Sequence, residues 1–109
     1  MNLKNICQDY FVTFSSKNIS KLEKLFDSQI SLRDWNLNVH GRQKVLEANE
    51  NIFRDCKSIM VEPLNLIQEG STVVCELEIT INNTPKIFVT DIITFNNDGK
   101  ILSIRAYKG

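Results

Sequence analysis

The sequence has no excess of charge of either sign. Thirteen Lys and Arg offset thirteen Asp and Glu, for a formal charge of zero. Holding a nucleic-acid backbone requires a basic face that displaces counterions. Here the cations are interleaved with acids, and Lys17 to Lys24 and Arg42 to Lys44 read as solvated helix faces. Long apolar runs are missing too. The longest are three residues, as in Tyr10-Phe11-Val12, against the ~20 needed to cross a bilayer. Met1-Asn2-Leu3-Lys4 offers no apolar signal region. The three cysteines, Cys7, Cys56 and Cys75, are far apart and form no CxxC pair. Free thiols in a reducing cytoplasm are therefore expected. HExxH, a Walker loop and GxGxxG are absent, so neither metal nor cofactor is expected. With two prolines and four glycines, all dispersed, no linker or hinge stands out, and residues 1–109 read as one domain.

What is present is a change of period along the chain. Leu3, Ile6, Cys7, Tyr10, Phe11 and Phe14 share one face of a helix over about Leu3 to Phe14. Asn18 suits the N-cap of a short second helix that buries Leu22, Leu25 and Phe26. A third helix spans about Arg42 to Cys56, with Val45, Asn49, Ile52, Phe53 and Cys56 inward. Ile30 to Trp35 alternates as a strand between the second and third helices. After the third helix every segment alternates: a strand from Ile59, with Pro63 marking an edge or bulge, then Thr72 to Ile81, Lys86 to Phe95 and Lys100 to Tyr107. Asn82-Asn83 and Asn97-Asp98-Gly99 are turns. Helices segregated from hairpin-linked strands predict an α+β fold, a curved antiparallel sheet closing like a cone around its helices.

Several residues could carry chemistry. Asp91 shares a strand face with Ile87, Val89, Ile93 and Phe95, but the opposite face also holds apolar groups, so which face is inside stays open. Turned inward, the carboxyl group must stay protonated or find donors. Protonated, it could donate to a developing oxyanion. Asp34 follows Ile30 and Leu32 at a strand end beside Trp35. It reads either as a general base shielded from water by Trp35 or as the Asx residue of a turn. Tyr10 reads as a core aromatic or as a hydroxyl aimed into a cavity. Asn49, Phe14, Phe53 and Trp35 are candidate pocket residues. The only histidine, His40, is a further candidate, though a loop histidine is more often a bystander.

The order of elements resembles the nuclear transport factor 2-like superfamily, in particular its SnoaL-like and ketosteroid isomerase-like branch. Tyr10-Phe11-Val12 through Leu22-Glu23-Lys24-Leu25-Phe26 is similar to that family's first two helices. Ser31-Leu32-Arg33-Asp34 is similar to its first strand, Val39-His40-Gly41 to the start of its third helix, and Thr90 through Tyr107 to its last hairpin. The resemblance implies three helices wrapped by a mixed, mainly antiparallel sheet. It also implies a tyrosine and a protonated aspartic acid that hold an oxyanion and a second aspartate that moves the proton. By position these are Tyr10, Asp91 and Asp34. The sequence departs from the isomerases at Trp35, where a proline is usual, and near Asn49, where they carry a tyrosine.

A cofactor-independent enzyme acting on a hydrophobic carbonyl compound is thus expected, of isomerase or cyclase type. The alternative is a non-catalytic ligand-binding or dimerisation module of the same fold. A homodimer through the outward sheet face, around Phe88, Ile92 and Tyr107, is expected in either case.

Overall fold

A computed structural model describes all 109 residues. Helices α1 (Leu3–Ser15) and α2 (Ile19–Leu25) are followed by strands β1 (Phe26–Arg33) and β2 (Asn38–His40). Helix α3 (Arg42–Asp55) then leads into β3 (Ile59–Glu69), β4 (Thr72–Ile81), β5 (Ile87–Phe95) and β6 (Ile101–Lys108). The strands form one open, six-stranded sheet in the order β2-β1-β6-β5-β4-β3. All neighbours are antiparallel except β1 and β6, which makes the sheet mixed. The fold is α+β, as expected. No helix is long and apolar enough to cross a membrane.

Local chemistry places the boundaries. The Asn2 and Asn18 side chains accept from the amides of Asn5 and Lys21, each at 3.1 Å, and so cap α1 and α2. Asn82 and Asn83 both take positive φ, and the Thr84 amide donates to the Ile81 carbonyl across them. That is the two-residue turn whose twist matches a hairpin. Pro63 sits where the β3–β4 register shifts, on an edge strand that tolerates its missing N–H.

The structure differs from the expected boundaries in two places. Phe26 starts β1 rather than ending α2, and it is fully buried there. The stretch before Gly41 contains β2, a three-residue edge strand too short and polar to show a period.

The concave face of the sheet carries the core. On β5, Val89, Asp91, Ile93 and Phe95 are buried while Phe88 is exposed, which settles the face that the sequence left open. α1 and α3 lie in the concavity, joined through a contact between Phe14 and Phe53 with ring centroids 4.8 Å apart.

Lys17 is not part of a solvated face. Its ammonium donates to the carbonyls of Phe53, Cys56 and Lys57 at 3.0, 2.6 and 3.2 Å. These are carbonyls at and just beyond the end of α3, and a cation there also meets the negative end of the helix dipole. The turn after α1 thereby holds the far end of α3. Lys17→Met should lower stability by about 1–3 kcal/mol, read as a lower urea midpoint with an unchanged m-value.

Candidate functional site

The helices do not fill the concavity. A cavity of about 300 Å³ remains between α1, α3 and the sheet, open at one end, and 16 of its 20 lining residues are hydrophobic. Asp34, Asn36, Asn49 and Asp91 interrupt that lining, and Tyr10 brings a phenol hydroxyl to it. Three elements deliver the acids and the phenol: α1 brings Tyr10, the turn after β1 brings Asp34, and the centre of β5 brings Asp91.

Asp91 is buried at 8% exposure. It pairs across the sheet with Cys75 and Ala106, neither of which offers a side-chain N–H or cation. Burial, and secondarily the charge of Asp34, push its carboxyl group up to about 7. Near neutrality a large fraction of it is therefore protonated and able to donate. Tyr10, equally buried, is held well above its ordinary value by burial first and then by Asp91, Cys7 and Cys75, so its hydroxyl remains a donor. Contact with Cys7 and burial also hold the Cys75 thiol protonated. Both cysteines are fully buried and act as small core groups.

Asp34 satisfies both of its sequence readings. Its Oδ1 accepts from the amides of Asn36 and Leu37 at 2.7 and 2.9 Å, and its own amide donates to the Leu37 carbonyl at 2.9 Å. That is an Asx turn. The same side chain lines the cavity, half-buried. One oxygen builds the turn and the other makes no bond to the protein. Trp35 stands at the mouth and is 47% exposed, with the Lys108 ammonium 5.8 Å from its ring centroid. It shields Asp34 on one side only, less than the sequence suggested.

Phe14 and Asn49 line the cavity, whereas Phe53 and His40 do not. Phe53 is buried behind the wall, packed on Phe14. His40 lies exposed on the edge strand β2, with Nε2 3.4 Å from Gln29 Oε1. The β2–β1 pairing carries it away from the cavity, and the expected pocket role for these two residues is corrected accordingly. Ile79, Ile81 and Ile87 also line the cavity and were missed as pocket residues. Their signal was an inward strand position; what the sequence hides is that each borders open space and stays only half-buried.

Asp91 makes stability depend on pH. The unfolded chain releases this proton near pH 4, the folded chain near 7. Between those values the folded state holds more protons, so stability falls as pH rises and then levels off. Asp91→Asn should therefore gain on the parent by about 4 kcal/mol between pH 4 and pH 8. Urea denaturation at several pH values reads this, and a constant difference would exclude a raised Asp91.

A profile of the SnoaL-like domain matches residues 7–104. No curated protein matches the chain. Among solved structures, a nuclear transport factor 2-like protein of unknown function from Cytophaga hutchinsonii superposes with a TM-score of 0.84 at 14% identity, over 100% of this chain and 91% of that one. A proposed polyketide cyclase from Sinorhizobium meliloti gives 0.84 at 16% identity, over 94% and 93%. A proposed ketosteroid isomerase from Kribbella flavida gives 0.85 at 11% identity, over 98% and 77%. At such identities these likenesses establish the fold. The profile, which spans nearly all of the chain, establishes the family: this chain belongs to the SnoaL-like domains of the nuclear transport factor 2-like superfamily.

Proposed function

We propose that this protein is a cofactor-independent acid–base enzyme that takes a proton from the carbon α to the carbonyl of a hydrophobic compound. The observation that carries the reading is Asp91. It is a carboxyl group without a hydrogen-bond donor, raised to about 7, in an apolar cavity that also receives Tyr10 and Asp34. A substrate carbonyl oxygen would sit between the Tyr10 hydroxyl and the protonated Asp91 carboxyl. The free oxygen of Asp34 takes the α-proton, and the C–H electron pair moves through the α-carbon to oxygen as an enolate. Two donors in a dry site stabilise that charge far better than water does. Returning the proton to the γ-carbon completes an isomerisation; attack of the α-carbon on a second carbonyl completes a cyclisation. The cyclase and isomerase descriptions of the Sinorhizobium and Kribbella proteins agree with this class.

A second reading draws on the Asx turn. With Oδ1 already engaged, Asp34 could serve as a fixed acceptor in a pure binding module. Cyclohex-3-enone separates the two. The enzyme converts it to the conjugated enone, read by ultraviolet absorbance, and Asp34→Asn slows this by about 10²-fold or more. The rate declines above pH 7 as Asp91 loses its proton. Binding of β-naphthol, whose oxygen as the naphtholate imitates an enolate, weakens in Tyr10→Phe. Turnover equal in Asp34→Asn and the parent leaves only the binding module.

We also propose that a second copy of the chain covers the outer sheet face. Ile67, Val74, Phe88 and Tyr107 are exposed there, beside the oppositely charged Glu76 and Arg105. That mixture can complement itself across a two-fold axis. The free thiols fit a reducing compartment such as the cytoplasm. Light scattering should give twice the chain mass of 12.5 kDa, and Phe88→Glu should give the monomer.

A further inference from the structure

Asn49 is a polar side chain that the fold leaves without a partner. It lies on the inner stripe of α3, where its neighbours one turn away, Val45 and Phe53, are buried core residues. It is only 2% exposed, and its Nδ2 finds no acceptor in the protein. A buried amide without a bond is unfavourable, and an apolar residue of the same size would serve the core better. The other buried polar atom without a partner, Thr13 Oγ1, is on a residue that does not line the cavity. Asn49 does line it.

The oxygen held by Tyr10 and Asp91 has no use for this amide. A carbonyl oxygen has two lone pairs, and the phenol and the carboxylic acid fill both. A second ligand atom is therefore the partner that the bound carbonyl leaves for the Asn49 amide. The cavity also limits the size of what it meets. An apolar cavity of about 150 Å³ holds benzene, with its six non-hydrogen atoms. The 300 Å³ here accordingly encloses about a dozen such atoms. A tetracyclic skeleton would project through the open end, leaving its outer rings unburied.

Resting on the proton-abstraction reading above, we propose that the substrate is a one- or two-ring carbonyl compound, or a chain of similar size, with a second oxygen function. Asn49 binds that second oxygen. An amide can donate or accept, so a hydroxyl or a second carbonyl satisfies it, and the rest of the molecule is hydrocarbon.

The test is a binding series on the parent protein: β-naphthol, a set of naphthalenediols that place a second hydroxyl around the ring, and a tetracyclic phenol. At least one diol should bind about tenfold tighter than β-naphthol, because a hydroxyl without a partner in this lining would weaken binding. The tetracyclic phenol should bind more weakly than β-naphthol. In Asn49→Leu the advantage of the diol disappears while β-naphthol binds as before, and the variant melts no lower than the parent.

The ways of failing are distinct. β-Naphthol that does not bind, or binds equally to Tyr10→Phe, overturns the proton-abstraction reading itself. β-Naphthol that depends on Tyr10 but is matched by every diol overturns the second anchor alone. Equal loss of β-naphthol and diol in Asn49→Leu assigns Asn49 to the first oxygen and overturns it too. A tetracyclic phenol that binds as tightly as β-naphthol overturns the size limit. The ligand series on the parent decides between anchor and no anchor even where the variant fails to fold.

Discussion

Everything distinctive about this molecule depends on a carboxyl group placed where it is hard to ionise. Asp91 sits at the centre of the concave face, with apolar residues before and after it on the same side of β5. A solvated aspartate would be charged at neutral pH, and this one is divided between its two forms. Its neutral form is a hydrogen-bond donor that faces the cavity and makes no bond to the protein. The Tyr10 phenol lines the same space and is likewise held in its protonated form. Two donors facing one apolar cavity make sense as a receptor for an oxygen that gains negative charge.

The rest of the architecture supports that cavity rather than filling it. The sheet curves around two helices, α1 and α3, and the ends of those helices are tied together through Lys17. α1 and α3 touch through Phe14 and Phe53, and beside that contact the space stays open. Ile79, Ile81 and Ile87 face the space and remain only half-buried. An unfilled concavity forgoes packing energy. Asn49 and Asp91 add the unfavourable burial of polar groups. A fold selected for stability alone would place leucines at both positions, and the proposed binding site gives a reason to keep them polar.

Much of this was legible in the residues. The inward stripe of α1 and the alternation of β4 and β5 predicted the layers, and Asn18 and Asn82-Asn83 marked boundaries that the structure keeps. The break in the α3 stripe at Asn49 was visible as a polar residue among apolar ones. The inward face of β5 was not, because Phe88 and Ile92 make the other side nearly as apolar. Only the arrangement of neighbouring strands decides it. β2 escaped because three residues cannot display a period. His40 and Phe53 were misplaced for opposite reasons. A local pattern cannot reveal that an edge strand carries a histidine outward, nor which of two adjacent core aromatics stands in front. Lys17 looked like surface charge because its three acceptors come from residues 36 to 40 positions further along the chain.

In the proposed reaction, position divides the chemical roles of the two cavity acids. Both are aspartates, with the same intrinsic acidity in an unfolded chain. Asp91 is anchored on a central strand with no donor in reach, so burial favours its neutral form. Asp34 is at the mouth, where two backbone amides donate to one of its oxygens. The charge of Asp34 adds to the burial that raises Asp91. Exchanging the two environments would exchange the roles. A carboxylate bonded by a turn makes a poor oxyanion donor, and a neutral acid on β5 cannot remove a proton. The proposed assignment of base and donor therefore rests on an Asx turn at a strand end and a gap in the core behind β5.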